Sequence, residues 1–324
     1  MAGLGAGLIL VSVPGSVCAQ GDIVDKHPWL MDLVTKDRFD RAWLNTLLSP
    51  LQPYTRVIQA MNRQAEAKPY HHYRTLFLTR KAVAKGRRLL RQHADLLLEI
   101  EQRYGVPGNV VVALWGIESR FGSYMGKHPV LRTLFTLATD YPRRATFFRE
   151  QFRAFLLLCR EQGWDPSTMK GSYAGAMGQV QMIPDTMRRY AVDHNGDGSR
   201  DVFGSTPDVL ASIANYLHGH GWVRGGRFAT SVDGSSVNRD MVSSSLRKMK
   251  TWKSWARKGV GVSQGEPLPA PEQKAALIML EGKRGPVYHM VFNNFYVITR
   301  WNNSRRFAMV VREFSDSLID TTTP

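Results

Sequence analysis

Residues 110–122 read V-V-V-A-L-W-G-I-E-S-R-F-G, an apolar run with a single acid, Glu118, near its end. Val111, Leu114 and Glu118 are spaced three and four apart, so a helix places them on one face. That face is otherwise fit for a core. A carboxylate set among Val, Leu, Trp and Ile loses hydration, which raises its pKa toward the range where it donates a proton near neutrality. Read alone, the stretch serves equally well as a helix end whose Glu reaches water. The rest of the chain has to decide.

Gly105-Val106-Pro107-Gly108 breaks the chain just before this helix. Upstream, 29–51 and 83–104 read as helices, the second with Leu89, Leu90, Leu96, Leu97, Leu98 and Ile100 marking an apolar side. Between them Pro53, Pro69 and the cluster Tyr70-His71-His72-Tyr73 predict a loop and a short helix. The adjacent histidines point to different faces and no further ligands follow, so they are set aside as a metal pair. Downstream, the pattern predicts a helix over 130–139, a turn at 141–144, and a longer helix to 162 ended by Gly163. Asp165-Pro166 and Ser167 are expected to start another short element.

Residues 171–182 read G-S-Y-A-G-A-M-G-Q-V-Q-M. Small residues at this density let a ligand approach the backbone, while Ser172, Gln179 and Gln181 can hydrogen-bond it. No Gly-Lys-Ser/Thr follows, which excludes a phosphate loop. Pro184 and Asp185 open a helix through 192, and the chain then enters D-H-N-G-D-G-S-R-D at 193–201. Asp193, Asn195 and Asp197 occupy alternate oxygen-ligand positions of an EF-hand loop, with Gly198 at its sharp turn and Ser199 and Asp201 after it. The closing Glu is absent, its position being Gly204, so an acidic turn without metal stays open. Asp208 is the candidate to complete the shell. It also belongs to Thr206-Pro207-Asp208, an N-cap and first turn for a helix with Leu210, Ile213, Ala214 and Leu217 inside. That helix stops near His218-Gly219-His220-Gly221, whose histidines are expected to cap carbonyls.

From 225 to 245 the composition turns polar and rich in Gly and Ser, and Trp252 and Trp255 then alternate with Lys and Arg. This shift predicts a smaller inserted region with strands, and 275–280, 287–292 and 295–301 read as β-type runs. A final helix is expected over 304–319, followed by a Thr-rich tail.

The 324 residues allow two domains or one large domain with insertions. A hydrophobic fraction of 43% with 10% aromatics supplies a packed core and excludes a disordered chain. The formal net charge of +16 implies an anionic partner. Basic residues are scattered and no zinc-finger or RNA-binding fingerprint accompanies them, which argues against nucleic acid. Residues 1–19, with apolar 8–13 and Val17-Cys18-Ala19, resemble a secretory leader cleaved after Ala19, although a basic start is missing. Val17 is bulky for the residue before a lipidated Cys18. Cys159, in an apolar run, reads as core rather than nucleophile.

Three features converge: a semi-buried Glu, a small-residue wall bearing amides, and many aromatics suited to stacking on sugar rings. G-x-S-x-G and HExxH are absent, so serine-nucleophile and zinc-peptidase chemistry fall away. Glycoside cleavage remains, yet no obvious second carboxylate pairs with Glu118, since Asp140, Asp165 and Asp185 lie beside turns or helix starts.

The chain closely resembles the membrane-bound lytic murein transglycosylase B family of lysozyme-like glycan cleavers. The resemblance is carried, in order, by G-I-E-S-R-F-G (116–122), Y-P-R-R-A (141–145), K-G-S-Y-A-G-A-M-G-Q-V-Q-M-I-P (170–184), D-H-N-G-D-G (193–198), A-N-Y-L-H-G-H-G-W (214–222) and N-N-F-Y-V-I-T-R-W-N (293–302). It implies cleavage of the N-acetylmuramic acid to N-acetylglucosamine bond of peptidoglycan with release of a 1,6-anhydromuramic end. It implies Glu118 as acid and then base, with Ser172 and Gln181 as saccharide ligands. Tyr216 would be an aromatic on the cleft floor, Arg143 and Arg144 contacts for peptide stems or lactyl groups, and Asn302 a neighbour of the catalytic centre.

Two departures stand out. Trp301 and Phe307 stand where the family carries Tyr, which keeps stacking and packing but removes the phenolic hydrogen bonds. The implied fold is mainly α (α+β), a lysozyme-like helical core with an N-terminal helical domain and a small inserted β region. The expected divisions are a leader at 1–19, a helical domain at 20–100, a catalytic core at 101–223, an insertion at 224–290, and a return to the core at 291–324. The resemblance further implies that the ion of this loop is calcium, read here as structural on Asp193, Asn195, Asp197, Ser199 and Asp208, with no cofactor for catalysis. A monomer in the periplasm, acting on glycan strands and with outer-membrane association open to it, completes the expectation. A hydrolysing muramidase and a non-catalytic peptidoglycan-binding module are the rival readings.

Overall fold

The computed structural model describes residues 22–63 and 68–319; the expected leader, with Cys18, and the Thr-rich tail lie outside them. The chain divides into two compact units between Gln52 and Pro53. In the first, α1 (Ile23–Lys26), α2 (Met31–Thr35) and α3 (Arg41–Leu48) replace the single helix expected over 29–51. Arg38 adopts a positive φ of 58°, which no helix tolerates, and Asp40 restarts the chain by accepting the Trp43 amide at 2.6 Å. Asp22 accepts Arg41 Nε at 2.6 Å, which ties α1 to α3.

The second unit begins with α4 (Thr55–Asn62) and α5 (Tyr70–Tyr73), then α6 (Arg80–Gln92) and α7 (Ala94–Tyr104). The expected helix over 83–104 is thus broken at His93, whose φ of −111° and ψ of 26° leave the helical region while its ring meets the edge of Trp115. Gly105 then closes α7 in the left-handed conformation, as the break before the opening helix required. That helix is α8 (Gly108–Ser119), buried on nearly every side from Val110 to Trp115. A helix apolar all round has to lie inside, and α6, α7, α12 (Thr206–Gly219) and α15 (Arg305–Ile319) pack around it.

After α8 the short β1 (His128–Pro129) leads into α9 (Val130–Asp140) and α10 (Ala145–Gln162), which pack against each other through Phe135 and Phe152. Cys159 is buried there, and burial pushes its thiol up to about 12, which leaves it an unreactive core group. No helix forms at 165–167. Asp165 instead accepts both the amide and the hydroxyl of Ser167, a local turn that competes with helix formation. β2 (Lys170–Gly171) pairs antiparallel with β1, and α11 (Pro184–Tyr190) follows. The cap of α12 is Ser205, one residue before the expected Thr206, with its Oγ accepting the Asp208 amide.

The insertion is a four-stranded antiparallel sheet in the order β3 (Ala229–Val232), β6 (Gly285–Val291), β5 (Lys274–Gly282), β4 (Lys250–Thr251). It has its own small core, in which Trp252 and Trp255 of α13 (Trp252–Ala256) pack on Leu277, Met290 and Phe292. Residues 295–301 do not form the expected strand. They lie in α14 (Asn293–Trp301), where Asn294, Val297 and Ile298 are buried at helical spacing and Arg300 is exposed. β-Branched and aromatic content is a weak instruction beside such packing. Asn294 anchors the turn into α14 by accepting the Val223 amide at 2.9 Å and donating to the Val223 carbonyl at 2.8 Å.

Candidate active site

Glu118 stands in the last turn of α8, and two consecutive left-handed residues, Arg120 (φ 53°) and Phe121 (φ 57°), turn the chain away immediately after it. Such geometry is costly for residues with a Cβ and persists only where the surroundings enforce it. Here Phe121 is wedged edge-on against Trp115 and Phe314, Ser119 Oγ accepts the Gly122 amide at 2.9 Å, and Lys85 Nζ donates to the Arg120 carbonyl at 3.2 Å.

The Glu118 carboxyl is half-buried and accepts one side-chain hydrogen bond, from Trp301 Nε1 to Oε1 at 2.8 Å. Burial pushes its pKa up to about 8, against the opposing pull of the Trp301 N–H. No second carboxylate contributes to that shift. Asp165 is occupied by Ser167 and Asp185 by Arg189, as expected for acids at turns and helix starts. Trp301, expected to have lost the hydrogen bond of the family's tyrosine, supplies an indole donor in its place.

Trp301 is held from below by Tyr216, whose ring meets it edge-on at 4.7 Å. Tyr216 in turn stacks on His220 at 4.0 Å, and its hydroxyl donates to the Arg300 carbonyl at 2.6 Å. Tyr216 is therefore a buried support for Trp301 rather than an open floor. His218 and His220 bond the carbonyls of Tyr104 and Tyr216, the capping role expected of them. Tyr73 is a neighbour that sequence reasoning missed. Burial raises its pKa first, and the negative charge of Glu118 adds to that rise, which brings the phenol into the carboxylate's field. The aromatic density of 70–73 was the available signal.

The small-residue wall is a set of tight turns in which Gly171 bridges to Met177 and Met177 to Met182. Ser172 Oγ accepts the Ala176 amide at 3.0 Å and so builds its own turn. Gln181 sits at a positive φ of 49° and donates Nε2 to the carbonyls of Met125 (3.0 Å) and Gly178 (2.9 Å). Gln179, expected to meet a ligand, is buried and fully used: Oε1 accepts Trp115 Nε1 at 2.8 Å and Nε2 donates to the Phe203 carbonyl at 2.7 Å. It bolts the wall to α8. Asn302 is exposed and its amide caps α14. Arg143 and Arg144 form an exposed turn of their own, with the Arg144 guanidinium over the Phe147 ring at 4.1 Å.

At 193–201, Asp193 accepts the amides of Gly196 and Gly198 at 2.7 and 2.8 Å, which curls the loop around it. Asn195 donates to Asp197 Oδ2 at 2.8 Å. Asp208, the expected completing ligand, is fully buried, and its two oxygens accept the amides of His194 and Asp201 at 2.8 and 2.9 Å. Asp201 is likewise turned inward, to the amides of Phe203 and Gly204. Among the described residues no cluster of three or more His, Cys, Asp or Glu side chains is placed to hold a metal.

A mainly helical fold built around one semi-buried glutamate, with an amide-lined wall and a small β insertion, defines a lysozyme-like glycan-cleaving class. Residues 26–316 match the transglycosylase SLT domain family, and the chain belongs to it. It is 35% identical over 297 residues to the membrane-bound lytic murein transglycosylase B of Escherichia coli, covering 88% of this chain and 80% of that protein. The structure of the soluble lytic transglycosylase SltB1 from Pseudomonas aeruginosa superposes with a TM-score of 0.83 at 32% identity, over 90% of this chain and 97% of that one. That of SltB3 from the same organism, in complex with NAG-NAM-pentapeptide, gives 0.80 at 36% identity, over 90% and 78%. An Escherichia coli lytic transglycosylase in complex with calcium gives 0.81 at 34% identity, over 90% and 91%.

Proposed function

We propose that this chain is a peptidoglycan lytic transglycosylase in which Glu118 alone performs the acid and the base step. The observation that carries the reading is a half-buried Glu118 whose proton is retained to about pH 8, with no second carboxylate contributing to its environment. Below that pH the protonated carboxyl donates to the glycosidic oxygen as the bond to muramic C1 breaks. The carboxylate then takes the proton of the muramic C6 hydroxyl as that oxygen attacks C1, which closes the 1,6-anhydro ring and returns the proton to Glu118. Because the attacking group is an internal hydroxyl, no base for water is needed, unlike the paired-carboxylate glycosidases. The substrate's own N-acetyl group can stabilise the positive charge at C1.

Trp301 is a positioning residue. An indole N–H donates and never accepts, so it fixes Oε1 as acceptor and leaves Oε2 to carry the travelling proton. Tyr73 shares the field of Glu118. The free Oε1 of Gln181 and the Ser172 hydroxyl supply the saccharide contacts, Arg143 and Arg144 are outlying contacts for stems or lactyl groups, and Asn302, next to Trp301, is the neighbour of the catalytic centre. Of the expected divisions we retain the insertion at 224–290, which the separate core of the sheet supports; the division between Gln52 and Pro53 and the packing of α6 and α7 on α8 favour an N-terminal unit shorter than the expected 20–100.

The loop at 193–199 suits a hard cation, since Asp193, Asn195 and Asp197 carry side-chain oxygens at alternate positions and Ser199 follows them. A calcium ion there would lock the loop and supply no chemistry to Glu118. Asp208 shapes the loop through its amides rather than joining the shell. The relatives' names support a place in the cell envelope, and no described helix is long and apolar enough to cross a membrane. Digestion of purified sacculi, with the released ends weighed, tests the reaction. Anhydromuramic ends are expected; reducing muramic ends would make the chain a hydrolysing muramidase, and no release would make it a binding module.

A further inference from the structure

Most half-buried arginines of this chain with a resolved partner meet a carboxylate. Arg74 is paired with Glu313, Arg188 and Arg200 with Glu161, and Arg306 with Glu281. One cavity departs from this rule. A space of about 500 Å³ between the insertion and α14 is lined by Ser244, Ser245, Arg247, Arg300, Asn303 and Arg305, among others, and no acid lines it. None of its three arginines has a carboxylate partner among the described residues. Arg305 is half-buried, and its guanidinium donates only to the carbonyls of Ser243 (2.6 Å) and Ser244 (3.1 Å). Neutral carbonyls orient such a cation without cancelling its charge, so the desolvated guanidinium still favours an anion beside it.

We propose that this cavity is a carboxylate-binding subsite, in which Arg247, Arg300 and Arg305 receive an acidic peptide stem of the glycan strand. The assignment rests on the peptidoglycan reading above. Three arginines lining one open cavity with no acid match a ligand with several carboxylates, and Ser244, Ser245 and Asn303 beside them carry hydroxyl and amide groups suited to its peptide groups. The site is also well placed along the chain. Arg300 lines the cavity, its carbonyl accepts the Tyr216 hydroxyl, and the next residue, Trp301, holds Glu118. A stem bound on Arg300 is thereby registered against the turn of α14 that positions the acid. Arg143 and Arg144 do not line this cavity.

The test is calorimetric titration of the full chain with the free stem tripeptide L-alanyl-D-glutamyl-diaminopimelate, its fully amidated form, and inorganic phosphate. The tripeptide should bind, the amidated form should not, and Arg247→Gln with Arg305→Gln should weaken the tripeptide at least tenfold. Arg247→Gln alone, at an exposed position, should weaken it severalfold and guards against misfolding of the double variant. Unchanged affinity in Arg247→Gln, or phosphate binding as tightly as the tripeptide, overturns the assignment, the latter in favour of a general anion pocket. Absence of tripeptide binding in a chain that still releases anhydromuramic ends sinks this inference alone; absence of those ends sinks the reaction instead.

Discussion

The indole Nε1 of Trp301 donates to Oε1 of Glu118 at 2.8 Å, joining positions 183 residues apart. The bond assigns the two oxygens of one carboxyl to different tasks, since the donor cannot take a proton back. It also opposes burial, so the acid is held near neutrality rather than driven far above it.

Glu118→Gln should lower the rate of sacculus clearance by at least about 10³-fold, because one group supplies both proton transfers. The same variant tests the electrostatics. Glu118 titrates near 4.5 ordinarily and near 8 in the folded chain, so the folded state holds a proton that the unfolded state has released between those values. The stability contributed by that proton is fully present below about pH 4.5 and is lost as pH rises through about 8. Thermal unfolding of the parent should therefore lose ground to Glu118→Gln between pH 5 and 8, and parallel curves would contradict the shift. Clearance by the parent should fall above about pH 8, where the acid is spent.

Trp301→Phe keeps a ring against Tyr216 and removes the donor. Losing a hydrogen bond to a charged group is worth about 1.5–3 kcal/mol, so turnover should fall roughly 10- to 100-fold. With its lowering influence gone, the basic limb of the pH–rate profile should move upward. Trp301→Tyr restores a donor and should recover part of the rate; equal loss in both variants would reduce Trp301 to a packing role.

Calcium and Asp208 should separate cleanly. If Asp193, Asn195 and Asp197 hold the ion, calcium at ten times its Kd adds about 1.4 kcal/mol, a rise of roughly 3 °C in Tm that Asp193→Asn with Asp197→Asn should abolish. Asp208→Ala should instead cost about 3 kcal/mol with or without calcium, since it strands two buried amides. Chelator-sensitive stability in the Asp193/Asp197 variant would refute the ligand set.

Gly126→Ala tests the wall. Gly126 has a φ of 91°, and an added Cβ would lie 2.1 Å from the Gly171 carbonyl oxygen. The variant should lose more than about 2 kcal/mol in chemical denaturation, and displacement of the Gly171 and Ser172 turn should raise KM.

Much of the site was legible in the chain because its signals are local. A lone acid ending an apolar helix, the wall of small residues and amides, and alternate oxygen ligands all lie within short windows. What misled was equally local. The stretch 295–301 has strand-like composition, yet burial of Asn294, Val297 and Ile298 at helical spacing makes it α14. Gln179 looked like a ligand-binding amide until Trp115 and Phe203 were found to occupy it. Asp208 was the candidate to complete the oxygen shell although it lies beyond the loop's closing position at Gly204, and its oxygens face amides.

By itself the sequence determined that an apolar helix would carry Glu118 near its end and that a segment of small residues and amides would follow downstream, since helix period and turn chemistry act between near neighbours. Only the tertiary structure decided what meets the carboxyl. Trp301 reaches it from a remote segment with Tyr216 behind the indole, Tyr73 feels its charge from another, and three arginines without carboxylate partners line one cavity beside the insertion. Such juxtapositions depend on how helices pack, which no short window encodes. Glu118 acquires its proton from that packing: burial supplies the shift, and one indole N–H limits it.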